Sequence, residues 1–129
     1  MVSKRIERIL NISHEAALRS RYGGYRFGST ILMGKRVISV GINSRRTHPL
    51  GAGINLAMHA ELDAIRIAES RVGELDGATI AIARAGSDDG FLPSFPCAAC
   101  LGRIIGKHIR RIIYIGSDLR PMYIDTRSL

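Results

Sequence analysis

Four side chains carry the chemistry that this sequence is able to do: His59, Glu61, Cys97 and Cys100. Cys97 and Cys100 are separated by two residues, so on a helix they lie one turn apart and both sulfurs point to one side. Backbone N–H groups at a helix start, together with a bound cation, favour the thiolate forms. Pro96 suits the entry to such a helix, because a missing N–H costs nothing there. His59 adds a neutral imidazole. One histidine and two cysteines make three ligands, the complement of a catalytic Zn²⁺ that keeps its fourth position for water; a closed structural site needs another donor. Glu61, two residues past His59, reaches such a water from the side. Zn²⁺ lowers the pKa of the water toward neutrality, and a neighbouring carboxylate can take its proton and pass it to a substrate.

Each part alone has a plainer reading. A lone His59 on a mostly apolar helix is usually structural, and Glu61 by itself is a surface carboxylate. An isolated Cys-x-x-Cys suits a redox pair in a thioredoxin-like setting or half of a structural zinc site. The redox reading leaves His59 and Glu61 without a task and requires a thioredoxin-like order of elements around the motif.

The elements that must position these residues follow from periodicity. Ile6, Ile9, Leu10, Ala16 and Ala17 fall at helical spacing, which predicts an amphipathic helix over 4–20, ended by Gly23 and Gly24. Segments 27–33 and 36–42 are rich in β-branched residues and are separated by Gly34 and Lys35, the pattern of a tight hairpin. Pro49 and two glycines make 43–55 a loop. A second helix is expected over 56–71, a strand over 79–83, a loop over 86–96, a third helix over 97–109 and a strand over 111–115. The tail, 116–129, returns as a short edge strand through Met122 and Ile124. Strands separated by helical crossovers imply an α/β fold, with a mixed sheet of four to five strands flanked by helices.

Composition bounds the setting. The 129 residues suffice for one compact domain, and 46% hydrophobic against 23% charged residues argues against disorder. No apolar run approaches the roughly 18–20 residues that span a bilayer, and the basic, polar start has no apolar signal segment, so a cytoplasmic protein without a membrane partner is expected. In a reducing compartment the paired cysteines read as metal-binding or redox residues before they read as a bridge. The net charge of +8 is uneven: residues 1–50 hold ten Lys or Arg against two acidic residues, 51–100 are net acidic by four and 101–129 net basic by four. Lys4, Lys35 and Lys107 are the only lysines. Arginine favours forked recognition of phosphate oxygens, which suits a phosphorylated partner, although many small proteins are basic for solubility alone.

The pattern His-Ala-Glu at 59–61 followed by Pro-Cys-Ala-Ala-Cys at 96–100 resembles the zinc signature of nucleobase deaminases. Over roughly residues 25–116 the chain resembles the cytidine and deoxycytidylate deaminase superfamily, with its nearest look to small deoxycytidylate-type proteins. The resemblance implies a three-layer cytidine-deaminase-like fold with the metal between two helices on one sheet face, a Zn²⁺ cofactor, and assembly as a homo-oligomer. It implies that Asn43, at the end of the second strand, binds the substrate's sugar, and that the backbone of Ala60 helps to orient the base. Arg45, Arg46 and His48 follow Asn43 on the same loop, placed for a 5′-phosphate, or else for a merely solvated basic loop. Arg21 and Arg26 have no clear match. In the mechanism so implied, activated water attacks C4 of a cytosine ring while Glu61 moves protons to N3 and to the departing amine, leaving uracil.

The chain also departs from the family pattern. Its segment 84–95 is longer than in compact members, and makes either a lid, with Phe95 packing on the base, or a plain hairpin loop. The final strand and helix of larger relatives are expected to be missing or reduced. His14, His48 and His108 do not form a cluster for a second zinc. A cytosine nucleotide is the leading substrate. A second reading presents the base within single-stranded DNA or RNA, held by Arg19, Arg21, Lys107, Arg110 and Arg111. With 5% aromatic residues and no Trp, stacking platforms for a strand are few. Adenine and guanine chemistry shares the metal motif. A third reading is a catalytically inactive zinc or nucleic-acid-binding module.

Overall fold

The computed structural model describes residues 3–21, 26–44 and 59–129. The chain opens with helix α1 (Lys4–Arg19), capped by Ser3, whose Oγ accepts the Ile6 N–H at 3.2 Å. Strands β1 (Arg26–Met33) and β2 (Arg36–Ile42) form the expected hairpin around Gly34. Helix α2 (Ala60–Val72), strand β3 (Thr79–Ala85), the short strand β4 (Phe91–Leu92), helix α3 (Ala98–Gly106), strand β5 (Arg111–Ile115) and strand β6 (Pro121–Asp125) follow, and one 3₁₀ turn (Thr126–Ser128) comes last. No described helix is long and apolar enough to cross a membrane.

The main sheet runs β2-β1-β3-β5-β6, with β4 paired to the end of β3. β3 and β5, joined by the α3 crossover, are parallel, and the other pairs are antiparallel. Against the four to five strands expected, the mixed sheet has five in its main path plus β4, and β6 is the edge strand read from Met122 and Ile124. Successive side chains on a strand point to opposite faces, and the strands sort accordingly. Ile31, Ile80, Ile82 and Ile112 pack with Ala64, Ile65 and Ala68 of α2 and Ile104 of α3. Their neighbours Leu32, Ala81, Ile113 and Ile115 pack with Ile9 and Leu10 of α1. The result is three layers, with α1 on one face and α2 and α3 on the other.

Close approach of helix to sheet requires glycine at two points. A Cβ on Gly28 would lie 2.0 Å from the Ser13 carbonyl oxygen of α1, and one on Gly41 would lie 2.4 Å from the Ala64 nitrogen of α2. Polar groups fix these contacts. Buried Ser13 bonds to Thr30 at 2.8 Å and donates to the Ala81 carbonyl at 3.0 Å. A bulge between Ile31 and Leu32 disturbs the β1–β2 ladder, and the Ile38 carbonyl accepts from Arg71 of α2 at 2.6 Å. Asp63 accepts the Ile42 N–H at 3.1 Å and so ties the first turn of α2 to the end of β2.

The long segment before Pro96 is a hairpin. Phe91 and Leu92 pair with Ala85 and Arg84, and the turn closes through Gly86 N–H to the Gly90 carbonyl at 2.8 Å. Arg26 braces it from β1 by an ion pair to Asp89 at 2.8 Å, and Phe91 stacks on His14 of α1 with centroids 4.2 Å apart.

Candidate zinc and substrate site

Two helix N-termini converge on one point. His59 is the N-cap of α2 and Cys97 the N-cap of α3, both in extended backbone, and neither side chain caps its own helix. They turn toward each other instead, and Cys100 joins them from the first turn of α3. Nδ1 of His59 lies 3.2 Å from Sγ of Cys100 and 3.7 Å from Sγ of Cys97, and the three ligand atoms all lie within 4.8 Å of one another. A tetrahedral Zn²⁺ with Zn–N near 2.0–2.1 Å and Zn–S near 2.3 Å sets N···S at about 3.5 Å. The spacing therefore fits zinc, with Nδ1 as the imidazole ligand. Cys100 is buried whereas His59 and Cys97 are exposed, which leaves one side of the cluster open to a ligand. Among the described residues no other group of three His, Cys, Asp or Glu is so placed.

Glu61 is 4% exposed and adjoins Cys100. Burial pushes its carboxyl up from the ordinary value, opposed by its own backbone hydrogen bond, the charge of His59 and a hydrogen bond with Cys100. The Cys100 thiol is raised as well, first by burial and then by the negative charge of Glu61 and Cys97. Without a cation this thiol stays protonated at neutral pH; metal coordination is what deprotonates such a group.

Asn43 is buried at the end of β2. Its Oδ1 accepts from the Phe27 N–H at 2.9 Å and from Ser20 Oγ at 2.7 Å. A backbone N–H can only donate, so this contact fixes which end of the amide is oxygen. Ala60 is fully buried between His59 and Glu61, its N–H at the first helical position, before intrahelical bonding begins. Phe95, two residues before Cys97, is half-exposed and meets Tyr114 edge-on at 4.9 Å. Arg45, Arg46 and His48 lie outside the described residues. Of the cations weighed for a strand, Lys107 pairs with Glu69 at 2.6 Å and Arg110 with Asp125 at 3.4 Å.

Sequence reasoning missed the residues that hold the ligands in place. Ser94 is 1% exposed; its Oγ donates to the Ile82 carbonyl at 2.7 Å and accepts the Ile115 N–H at 2.9 Å. β3 and β5 pair only from Thr79/Arg111 to Ala81/Ile113, and Ser94 bridges them beyond that point, where the chain turns toward Cys97. Asp63, Ser20 and Gly41 act in the same supporting way.

Residues 3–116 match the family profile of the cytidine and deoxycytidylate deaminase zinc-binding region. The chain belongs to that family. Solved structures similar to this deaminase include the cytidine deaminase of Burkholderia pseudomallei, 17% identical, covering 98% of this chain and 95% of that one with a TM-score of 0.71. The dCMP deaminase of cyanophage S-TIM5 is 15% identical, covering 87% of this chain and 82% of its own with a TM-score of 0.62. A structure from work on A-to-I editing by tRNA:A34 deaminases is 25% identical over 82% of this chain and 72% of that one, with a TM-score of 0.58. No curated protein sequence matches the chain. The fold, the family and the donor set agree on Zn²⁺ as the cofactor of this deaminase, held by His59, Cys97 and Cys100.

Proposed function

We propose that the protein hydrolytically deaminates the cytosine base of a free nucleotide, of the deoxycytidylate type, to uracil. The observation that carries this reading is the three-ligand cluster with buried Glu61 directly beside it. Zn²⁺, when bound there, supplies a Lewis acid and a water acidified toward neutral pH. Glu61 takes a proton from the attacking water and delivers it to N3 of the ring. It then moves the second proton to the exocyclic nitrogen, so that the C4–N bond breaks with loss of ammonia while C4 keeps the new oxygen. Burial favours this relay, because a carboxylate almost closed off from solvent beside the ligands keeps the transferred proton between water, ring and amine. Asn43, its amide locked by Phe27 and Ser20, offers the sugar a preorganised polar group. Ala60 presents backbone to the base. Arg45, Arg46 and His48 take the 5′-phosphate, and Phe95 stands at the rim.

A second reading, a base held within RNA, draws on the 25% likeness to the tRNA:A34 deaminase structure. The ion pairs of Lys107 and Arg110 reduce the charge available for a strand. One screen separates the two readings: ammonia release by the zinc-loaded protein from cytidine, deoxycytidine, their mono- and triphosphates, a cytosine-containing single strand and an adenosine-containing RNA stem-loop. Turnover highest on a monophosphate is the expected result. Turnover of a strand or stem-loop with none of the monomers overturns the proposal.

A further inference from the structure

On the sheet face opposite the metal cluster, α1 packs mainly on β1 and β3, and a cavity of about 620 Å³ lies between α1 and the β5–β6 side of the sheet. Ile6 and Ile9 of α1, Leu32 of β1 and Ile113 of β5 supply its apolar lining, with Ser3 and Thr79 beside them. Tyr123 of β6, 61% exposed, stands beside it. Arg5 and Arg111 also line it. Arg5 gives one N–H to the Gly34 carbonyl at 3.0 Å, and neither guanidinium forms an ion pair among the described residues. The acidic residue of the lining, Asp125, is already engaged by Arg127 at 2.9 Å and Arg110 at 3.4 Å. The cleft thus combines an apolar part with two guanidinium groups that have no ion-pair partner among the described residues, in a volume within the roughly 300–1,000 Å³ of small-molecule sites.

We propose that this cavity is a second ligand site that takes a small organic anion. A phosphate or carboxylate head is held by Arg5 and Arg111, whose forked donors match both oxyanions, and an aromatic or aliphatic body covers Ile9, Leu32 and Ile113. An inorganic anion would leave the apolar lining wet, and an uncharged apolar molecule would leave the guanidinium charge unanswered. The cavity shares no residue with His59, Glu61, Cys97 or Cys100, so the proposal stands apart from the deaminase reading.

The test is a titration of the full zinc-loaded chain, methyl-labelled at Ile and Leu, followed by NMR with phenyl phosphate, benzoate, inorganic phosphate and benzyl alcohol as probes. Phenyl phosphate or benzoate should shift the methyls of Ile6, Ile9, Leu32 and Ile113 saturably and leave Ile80 and Ile104, on the other face, unmoved. Whichever binds more tightly identifies the head group as phosphate or carboxylate. Inorganic phosphate and benzyl alcohol should each bind at least about tenfold more weakly, and Arg111→Gln should weaken the aromatic anion about tenfold, the worth of one charge-assisted hydrogen bond. Because Arg111 is exposed and forms no ion pair among the described residues, that variant should keep the wild-type fold, read from unmoved methyls of Ile80 and Ile104. Shifts centred on Ile80 and Ile104, no saturation by about 10 mM, benzyl alcohol as strong as phenyl phosphate, or an Arg5→Gln/Arg111→Gln double variant with unchanged affinity would each overturn the proposal.

Discussion

Replacing Gly41 by alanine asks whether the chemistry depends on how closely α2 lies on the sheet. The added methyl would sit 2.4 Å from the Ala64 nitrogen and 2.6 Å from the Ala60 carbonyl oxygen, both helix backbone that no rotamer change can clear. Ordinary contact begins at 3.4 Å, so the first turn of α2 must retreat by about 1 Å. Overpacking of this kind costs about 1–3 kcal/mol of stability. The functional loss should be larger. His59 caps this turn and Glu61 lies in it, while Cys97 and Cys100 ride on α3 and stay behind. The 3.2 and 3.7 Å contacts from Nδ1 to the two sulfurs then open together, and a misplacement of 1 Å costs about 10²-fold in rate. Thermal melts, zinc competition against a chromogenic chelator and ammonia release measure the three effects on one sample. Gly34→Ala is the control: its φ of +61° strains any side chain, but nothing lies within 4 Å of the new Cβ, so it should lose about 1–2 kcal/mol with zinc affinity intact. A Gly41→Ala protein that melts lower yet binds zinc and turns over substrate like the wild type would refute the reasoning.

The Glu61→Gln variant keeps all three ligands, so it should bind zinc normally and release ammonia at least about 10²-fold more slowly; unchanged behaviour would favour a zinc module without chemistry. Burial raises the Glu61 carboxyl in the metal-free fold, so this group's stabilisation is complete below its unfolded pKa and is lost as pH rises through the folded one. Metal-free Glu61→Gln should accordingly melt above metal-free wild type at neutral pH, with the gap closing as pH falls to about 4. Since the Cys100 thiol is held protonated, zinc binding should release at least one proton and tighten with rising pH, which calorimetry in buffers of different ionisation enthalpy measures. Cys100→Ala should abolish both the zinc binding and the release. Ser94→Ala strands a buried carbonyl and a buried N–H, a loss of about 1–3 kcal/mol for each in urea unfolding.

The hairpin and β5 were legible because their β-branched runs are bounded by clear turns, and the structure places β2 and β5 over the residues read from the sequence. Helix ends were less so, since apolar spacing persists where backbone helicity does not. A helix over 56–71 places His59 inside it, but the residue has φ −72° and ψ 149°, so the helix starts at Ala60. At the other end of the domain, 97–109 overruns: α3 stops at Gly106, His108 takes a positive φ of 60°, and Ile109 is still a fully buried core residue. Ile109 is apolar because of the sheet beneath it, not because it belongs to the helix. β4 is two residues long, too short for any period to register.

The metal ligands were legible for a different reason: their chemistry is written in residue type and in spacings of two or three positions within one segment. Ser94 has no such mark. A serine beside Pro93 in a glycine-containing stretch reads as loop, and its task exists only because β3 and β5 are parallel and stop pairing at Ala81 and Ile113. The backbone groups left beyond that point need partners in a buried setting, and Ser94 supplies one hydroxyl that accepts from β5 and donates to β3. Two residues after it the chain reaches Pro96, and then Cys97. The approach that lets Cys97 face His59 across 3.7 Å therefore starts where the parallel strands part, at Ser94, three residues before the first of the two cysteine ligands. A sequence motif records which side chains bind the metal; the splay of two strands decides where they meet.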